Sequence, residues 1–167
     1  MTQPFQIIVD DEKAQRWFGE LLRRGSDLRP VMDDIGEMLL VSTQERFRSG
    51  IAPDGQPWAA LADGSGRSPL FATGTLHSLI APHPIPDGIE LVASAKQARW
   101  HQEGTDPYVI EPKQKQALAW PGGPGPRKRV NHPGLKARPF MGISAEDERS
   151  IEERVTQWLA LAESPNA

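Results

Sequence analysis

The sequence of 167 residues contains no cysteine. Disulfide bridges, thiolate zinc sites and cysteine nucleophiles are therefore excluded. Long hydrophobic runs are also missing, since no stretch approaches the roughly eighteen apolar residues of a membrane-spanning helix. The first residues, MTQPFQIIVDDEK, have no basic segment of the kind that opens a secretion signal. We therefore expect a soluble chain with no secretion signal and no membrane contact.

The sequence also lacks the residue patterns that are typical of catalytic and metal sites. The four histidines are dispersed and show no metal-ligand spacing. The segment GSGRS at 64–68 follows no predicted strand and lacks the Gly-Lys-Ser/Thr ending of a phosphate-binding loop. Asp33 and Glu37 share a helical face, but they lie in the first half of a predicted helix, where the helix dipole favours acidic residues. We therefore predict no enzyme activity, no cofactor and no metal.

The N-terminal part is predicted to contain a short strand and a helix. Phe5 to Val9 are rich in apolar and β-branched side chains, which favours a strand. The helix begins at a cap formed by Asp10 or Asp11 and is closed by Gly25. Its apolar stripe comprises Trp17, Phe18, Leu21 and Leu22.

A second, longer helix is the clearest element of the sequence. It is predicted to begin at Ser26 or Asp27, to accept Pro30 in its first turn, and to end near Phe47. Apolar residues follow helical spacing along it. They form the stripe Val31, Ile35, Met38 and Leu39.

Short elements separated by turn-forming residues follow this helix. The loop at 49–58 is predicted to fold back by burying Trp58. Residues 73–80 predict a short helix capped at Thr73 or Thr75, with Leu76, Leu79 and Ile80 facing inward. A proline-rich turn at Pro82, Pro84 and Pro86 then leads to the remaining elements. These are a strand at 88–94, one or two helical turns at 95–103, and strands at 108–110 and 117–120.

The C-terminal third contains a basic arm and a final helix. Proline and glycine in PGGPGPRKRVNH predict an exposed loop, and we place an extended arm at 121–139. In the segment that follows, Phe140 and its apolar neighbours are expected to anchor the chain, while Lys136 and Arg138 face outward. Ser144 then caps a helix that runs to about Leu161.

Charge is segregated along the chain. Residues 96–141 hold 9 basic and 3 acidic side chains, whereas 1–95 hold 8 and 13 and 142–167 hold 2 and 6. A basic segment between acidic ones favours contact between copies of the chain. The alternative is a nucleic-acid-binding module that uses the basic segment 113–138, with nearby aromatic side chains for stacking.

These elements predict an α+β fold in which an antiparallel β-sheet packs against the long helix, with a Pro/Gly-rich basic arm and a C-terminal helix. We predict a single domain over 1–167, with the arm at 121–139 inside it.

Four blocks of sequence resemble the phage virion morphogenesis family, the Mu-like tail-completion proteins that act in head-to-tail joining. The blocks are the helix end IGEM to STQERF, the loop PDGQPW, the segment TGTLHSLI and the segment ARPFMGIS. The likeness spans nearly the whole chain, and the blocks come in the order expected for the family.

The resemblance implies a structural protein with no catalytic activity and no cofactor. Such proteins complete the tail as a ring of copies, here expected to be hexameric, and join it to the head. The implied partners are further copies of the chain and the neck or connector and tail-tube proteins. DNA that passes through the channel is a further possible contact, without sequence specificity. The implied location is the neck or tail end of the virion, and during assembly it is the host cytoplasm.

We assign eight residues to the protein interface of this assembly. Four of them are basic residues of the arm and its continuation, one is the arginine of the ARPF motif, and three are aromatic. They are Arg127, Lys128, Arg129, Lys136, Arg138, Phe140, Trp58 and Trp100.

Overall fold

The computed structural model describes residues 12–160 except 62–63, 65, 72, 87, 114, 121–122 and 124. The predicted strand at 5–9 and the predicted caps Asp10 and Asp11 lie outside the described residues. The described part combines helices with antiparallel two-stranded sheets, which confirms the α+β prediction.

Helix α1 spans Glu12–Ser26. The prediction that Gly25 closes it is wrong by one residue, because the Ser26 hydroxyl donates a hydrogen bond of 2.8 Å to the Arg23 carbonyl and extends the last turn. Phe18 and Leu22 are exposed on its surface.

Helix α2 spans Arg29–Ser49 and is the longest element. It starts later than predicted, after Leu28, because the Asp27 carboxylate accepts hydrogen bonds from the backbone and side chain of Arg29. It also continues past Phe47. The Gly50 N–H donates the last helical bond to the Arg46 carbonyl at 2.8 Å, and the positive φ of Gly50, 68°, turns the chain out of the helix.

Strands β1 (Ile80–Ile85) and β2 (Gly88–Ala93) form an antiparallel hairpin that packs on α2. The predicted turn at Pro82, Pro84 and Pro86 is therefore wrong for the first two prolines, which lie in β1. Contact with α2 is close at Gly36, where a Cβ atom would lie 2.6 Å from the Ile89 side chain. The glycine thus allows the hairpin to approach the helix.

Two short helices flank the hairpin in the sequence. Helix α3 spans Thr75–Ser78 and follows Gly74, so neither predicted threonine is its N-cap residue. Leu76 is buried as predicted, but Leu79 is 43% exposed, which corrects its inward placement. Helix α4 spans Ala98–Glu103 and confirms the predicted one or two turns.

The predicted arm is largely a folded ribbon. Strand β3 (Tyr108–Ile110) is confirmed, and it pairs with β4 (Val130–His132), which sequence patterning had assigned to an exposed loop. A bridge between Thr105 and Leu135 closes the base of the ribbon. The strand predicted at 117–120 is reduced to an isolated bridge between Leu118 and Arg127 near the tip. We call residues 105–135 the basic ribbon.

Helix α5 spans Ala145–Ala160 and packs on α2 and α1. The predicted Ser144 cap is confirmed, since the Ser144 hydroxyl accepts a hydrogen bond of 3.2 Å from the Asp147 N–H. The Asp147 carboxylate in turn accepts one of 2.8 Å from the Ser144 N–H. Both pairings satisfy backbone donors that the start of a helix leaves free.

The core lies where α2, the loop after it and the ARPF motif meet. Phe47 and Phe140 are fully buried, with ring centroids 5.3 Å apart. The Trp58 ring lies 5.8 Å from that of Phe47 and confirms that the 49–58 loop folds back onto the core. Leu76 and Ile80 complete this side of the cluster.

Candidate interaction surfaces around a buried joint

The segment at 137–144, which we call the joint, is held by hydrogen bonds from three separate elements. Arg46 of α2 donates one Nη1 bond of 2.9 Å to the Phe140 carbonyl and one of 2.8 Å to the Gly142 carbonyl. Its Nη2 donates a bond of 2.5 Å to the Asp147 carboxylate of α5. One guanidinium therefore ties α2, the joint and α5 together.

The Arg46–Asp147 pair is buried, with side chains 7% and 3% exposed. Burial lowers the pKa of Arg46, and the Asp147 charge opposes this effect. Burial alone would raise the pKa of Asp147, but hydrogen bonds from Ser42 and Ser144 and the charge of Arg46 bring it below its ordinary value. Asp147 is thus held as a carboxylate at neutral pH.

Trp58 and Gln102 fix the backbone of the joint from the two sides. The Trp58 indole donates a hydrogen bond of 2.8 Å to the Pro139 carbonyl. The Gln102 carbonyl oxygen accepts 3.0 Å bonds from the N–H groups of Phe140 and Met141, and its amide donates to the Met141 carbonyl at 2.9 Å. These contacts satisfy polar groups that would otherwise be buried without partners.

Arg138 lies inside the protein, which corrects the prediction that it faces outward. The residue is 8% exposed, and its guanidinium donates to the carbonyls of Ala59 and Ala60 at 2.8 and 3.0 Å. Its backbone N–H donates to the His101 carbonyl at 2.7 Å. Burial, followed by the charge of Arg138, lowers the pKa of His101. Arg138 therefore anchors the loop after Trp58 to the joint.

Phe140 and Trp58, also assigned to the interface by sequence, are interior as well, at 0% and 8% exposure. Neither side chain has surface to offer a neighbouring molecule in this fold. Both fill the space between α2 and the joint, so their role here is in the core.

The other five assigned residues are on the surface. Arg127, Lys128 and Arg129 lie near the tip of the basic ribbon, immediately before β4, and Lys136 follows its base. All four side chains are exposed and form no ion pair within the described part of the chain. Trp100 of α4 is 53% exposed.

An acidic surface lies on α5. Glu148, Glu152 and Glu153 are exposed and have no ion-pair partner among the described residues. Arg154 of the same helix pairs with Asp34 of α2, and Arg149 pairs with Glu146. The free carboxylates therefore give α5 an uncompensated negative face.

Sequence reasoning missed three residues of the joint as functional side chains: Arg46, Gln102 and Asp147. A signal for Arg46 was present, since it lies one turn after Ser42 on the buried side of an amphipathic helix, where a charge requires a partner. Gln102 had no comparable signal, because its partners are backbone groups far along the chain.

Within the described ranges, no cluster of three or more histidine, aspartate or glutamate side chains could hold a metal ion. No helix described there combines the length and apolar character needed to cross a membrane.

The four sequence blocks converge on this structure. The end of α2 supplies Arg46 and Phe47, the PDGQPW loop supplies Trp58, the TGTLHSLI segment supplies Leu76, and the last block is the joint itself. The fold is α+β, and the four motifs serve packing. The chain belongs to the phage virion morphogenesis family, whose model matches residues 9–160. No individual curated protein and no solved structure matches the chain.

Membership confirms the resemblance noted from the four blocks. The family is one of structural proteins, so the chain has a structural role in phage virion assembly and is virion-associated.

Proposed function

We propose that this protein is a tail-completion protein that assembles as a ring at the end of the tail and joins it to the head. The observation that supports the proposal is that a virion-assembly protein carries two exposed surfaces of opposite charge, the basic ribbon and the acidic face of α5, whose charges have no ion-pair partner among the described residues. The ribbon and α5 lie on different parts of the fold, so the contact joins unlike surfaces of two copies. Contacts between unlike surfaces generate a ring when the rotation from one copy to the next closes.

The ribbon is suited to reach a neighbour. Its strands are paired with each other, and side chains on both faces are exposed, including Tyr108, Val109 and Asn131. Prolines near the tip limit the conformations that the free tip can adopt and so reduce the entropy lost on docking. In this proposal, Arg127, Lys128 and Arg129 of one copy contact Glu148, Glu152 and Glu153 of the next.

A charge exchange tests this contact. The ribbon variant changes Arg127, Lys128 and Arg129 to Glu, and the helix variant changes Glu148, Glu152 and Glu153 to Lys. Each variant alone should fail to self-associate and to enter tails, because like charges then face each other. The two variants mixed in equal amounts should regain association, since the charges are again opposite.

Lys96→Glu is the matched control, because Lys96 is an exposed base outside the ribbon. Association is read by sedimentation and by the protein content of purified tails. Association of either variant alone at the wild-type level would exclude the ribbon–helix contact. Complete tails formed without the protein would exclude the tail-completion role.

A second candidate function is nucleic-acid binding by the same ribbon. Tyr108 and Trp120 of the same ribbon are 46% and 45% exposed, and such aromatic rings can stack on bases. This function predicts binding to single-stranded DNA that weakens steeply as salt rises. The triple change of Arg127, Lys128 and Arg129 to Ala should abolish the binding. Absence of binding at low salt would exclude this candidate.

A further inference from the structure

Helix α5 has two exposed flanks, and one of them combines carboxylates with an apolar side chain. Glu148, Glu152 and Leu159 lie within about 40° of one another around the helix axis, because successive residues turn by about 100°. All three are exposed, and neither carboxylate has an ion-pair partner among the described residues. Glu153 and Gln157 are exposed on the other flank. We call the first flank the carboxylate flank.

Leu159 gives the carboxylate flank its apolar part. The side chain is 37% exposed, and it is the only large apolar side chain that α5 exposes within the described ranges. It lies about 10 Å along the helix axis from Glu152. The flank therefore suits a partner that presents a cation and an apolar side chain at a similar separation.

The basic ribbon has one face of this kind. Cross-strand partners share a face, so Val109 lies with Asn131 on one face and Tyr108 with His132 on the other. The Tyr108 ring stacks on the His132 imidazole with centroids 4.7 Å apart, so that face is packed by its own side chains. On the first face Val109 is 44% exposed, and Asn131 is exposed as well. Arg129, two residues before Asn131, extends this face about 7 Å along the strand.

We propose that Val109 of one copy packs on Leu159 of the next copy, as the apolar anchor of the contact between ribbon and helix. The proposal rests on the self-association proposed above and names the side chains at its centre. The charges identify the occupant, because Arg129 beside Val109 is opposite in sign to Glu152 beside Leu159. The long arginine side chain spans the difference between about 7 Å on the ribbon and about 10 Å on the helix. Both pairs can therefore meet at once.

An apolar anchor gives this contact affinity that its charges lack. Exposed ion pairs contribute little stability, whereas side chains that are desolvated at the centre of an interface contribute most of it. Within one chain, Val109 and Leu159 do not cover each other, since both keep more than a third of their surface. A second copy supplies the surface that each side chain lacks.

The absence of native cysteine allows a clean cross-linking test. One full-length chain carries Val109→Cys or Tyr108→Cys, at positions that are similarly exposed but on opposite faces of the ribbon. A second, isotope-labelled chain carries Leu159→Cys or Gln157→Cys, at exposed positions on different flanks of α5. In the mixed assembly, the disulfide between positions 109 and 159 should form several-fold more than any other pairing. Mass spectrometry of the labelled peptides identifies each pairing.

The other pairings are the matched controls. Equal yields for all pairings, or no disulfide, in chains that still associate would overturn the inference and leave the proposed function intact. A preference of position 108 for position 159 would also overturn it, because the ribbon would then dock by its other face. Chains that neither associate nor enter tails would overturn both proposals. A disulfide formed only within a single chain that carries both cysteines would overturn the assignment to a neighbouring copy.

A substitution without cysteine gives an independent readout. Leu159→Gln keeps the charge and much of the volume but removes the apolar surface, and it should weaken self-association on the order of tenfold. Gln157→Leu, the reverse change on the other flank, should leave self-association at the wild-type level. Both variants should keep the helical circular dichroism of the wild type, because both positions are exposed. Sedimentation that shows wild-type association of Leu159→Gln, or equal effects of the two changes, would overturn the inference.

Discussion

At the scale of single residues, the buried charges of this protein have structural roles. Arg46 donates hydrogen bonds to two carbonyls of the joint and to Asp147. Arg138 donates hydrogen bonds to two carbonyls of the loop after Trp58. A charge becomes tolerable in the interior when every donor finds an acceptor. The two arginines therefore act as cross-links between segments that are distant in sequence.

Removal of one partner of the buried pair should be costly. Asp147→Ala leaves the Arg46 guanidinium buried without its counter-charge, and we expect a loss of about 3–5 kcal/mol in the free energy of unfolding. The measurement is urea denaturation at neutral pH. Glu152→Ala on the exposed face of the same helix is the control and should change stability by less than about 0.5 kcal/mol. A loss for Asp147→Ala no larger than that of the control would contradict the assigned role.

The same pair predicts a dependence of stability on pH. The folded-state pKa of Asp147 is below the unfolded value, so the unfolded chain takes up its proton first as pH falls. The stabilisation by this carboxylate should be complete above about pH 4 and should be lost as pH falls through the lower, folded pKa. Asp147→Asn should remove this part of the acid-induced loss. The measurement is the free energy of unfolding of both proteins at intervals of about half a pH unit between pH 2 and 7. Parallel stability profiles of the wild type and Asp147→Asn would refute the prediction.

Phe140 is predicted to contribute through packing. Phe140→Ala removes a fully buried ring that contacts Phe47, and we expect a loss of about 3–5 kcal/mol. Thermal or urea unfolding measures it. Phe140→Leu, which keeps most of the volume, should cost distinctly less. A stable Phe140→Ala protein that has lost only self-association would instead place this ring at an interface.

At the scale of elements, the base of the basic ribbon depends on close backbone contact. Gly104 has a φ of 76°, and a Cβ atom there would lie 2.7 Å from the Leu135 carbonyl oxygen. Gly125, near the tip, has a φ of 100° but open space around it. Both positions would strain a residue with a side chain, because φ is positive, but only Gly104 is also too close to other atoms for a Cβ atom.

Substitution of these two glycines by alanine should have unequal effects. Gly125→Ala adds only the strain of a positive φ, about 1–2 kcal/mol. Gly104→Ala adds a clash with backbone atoms of 135–137 and should cost more, with faster amide exchange at Thr105 and Leu135. Equal losses of stability in the two variants would show that the base of the ribbon is not held as described.

At the scale of the whole molecule, the core and the proposed assembly surfaces are separate. The core forms between α2, the loop after it and the joint, whereas the exposed basic side chains lie on the ribbon. A structural virion protein arranged in this way can lose association without losing its fold.

Replacement of the ribbon tip tests that separation. Residues 111–129 exchanged for Asn-Gly join Ile110 and Val130, which pair across the ribbon, by a two-residue turn. We expect the helical circular dichroism and the unfolding midpoint to be close to wild type and self-association to be lost. A variant that unfolds would show that the tip supports the fold, and one that still associates would remove the tip from the interface.

Elements with local signals were predictable from the sequence. Helical spacing predicted α2 and α5, the Ser144 cap was visible from its neighbours, and Trp58 was predicted to fold its loop back. Only the tertiary structure decided the rest. The prolines of β1 depend on pairing with β2, and the second strand of the ribbon depends on pairing with β3. The buried position of Arg138 depends on a carbonyl 79 residues earlier in the chain. In the sequence alone, a proline of an edge strand cannot be distinguished from a proline of a turn. A buried arginine likewise cannot be distinguished from an exposed one, because the carbonyls that it contacts are distant in sequence.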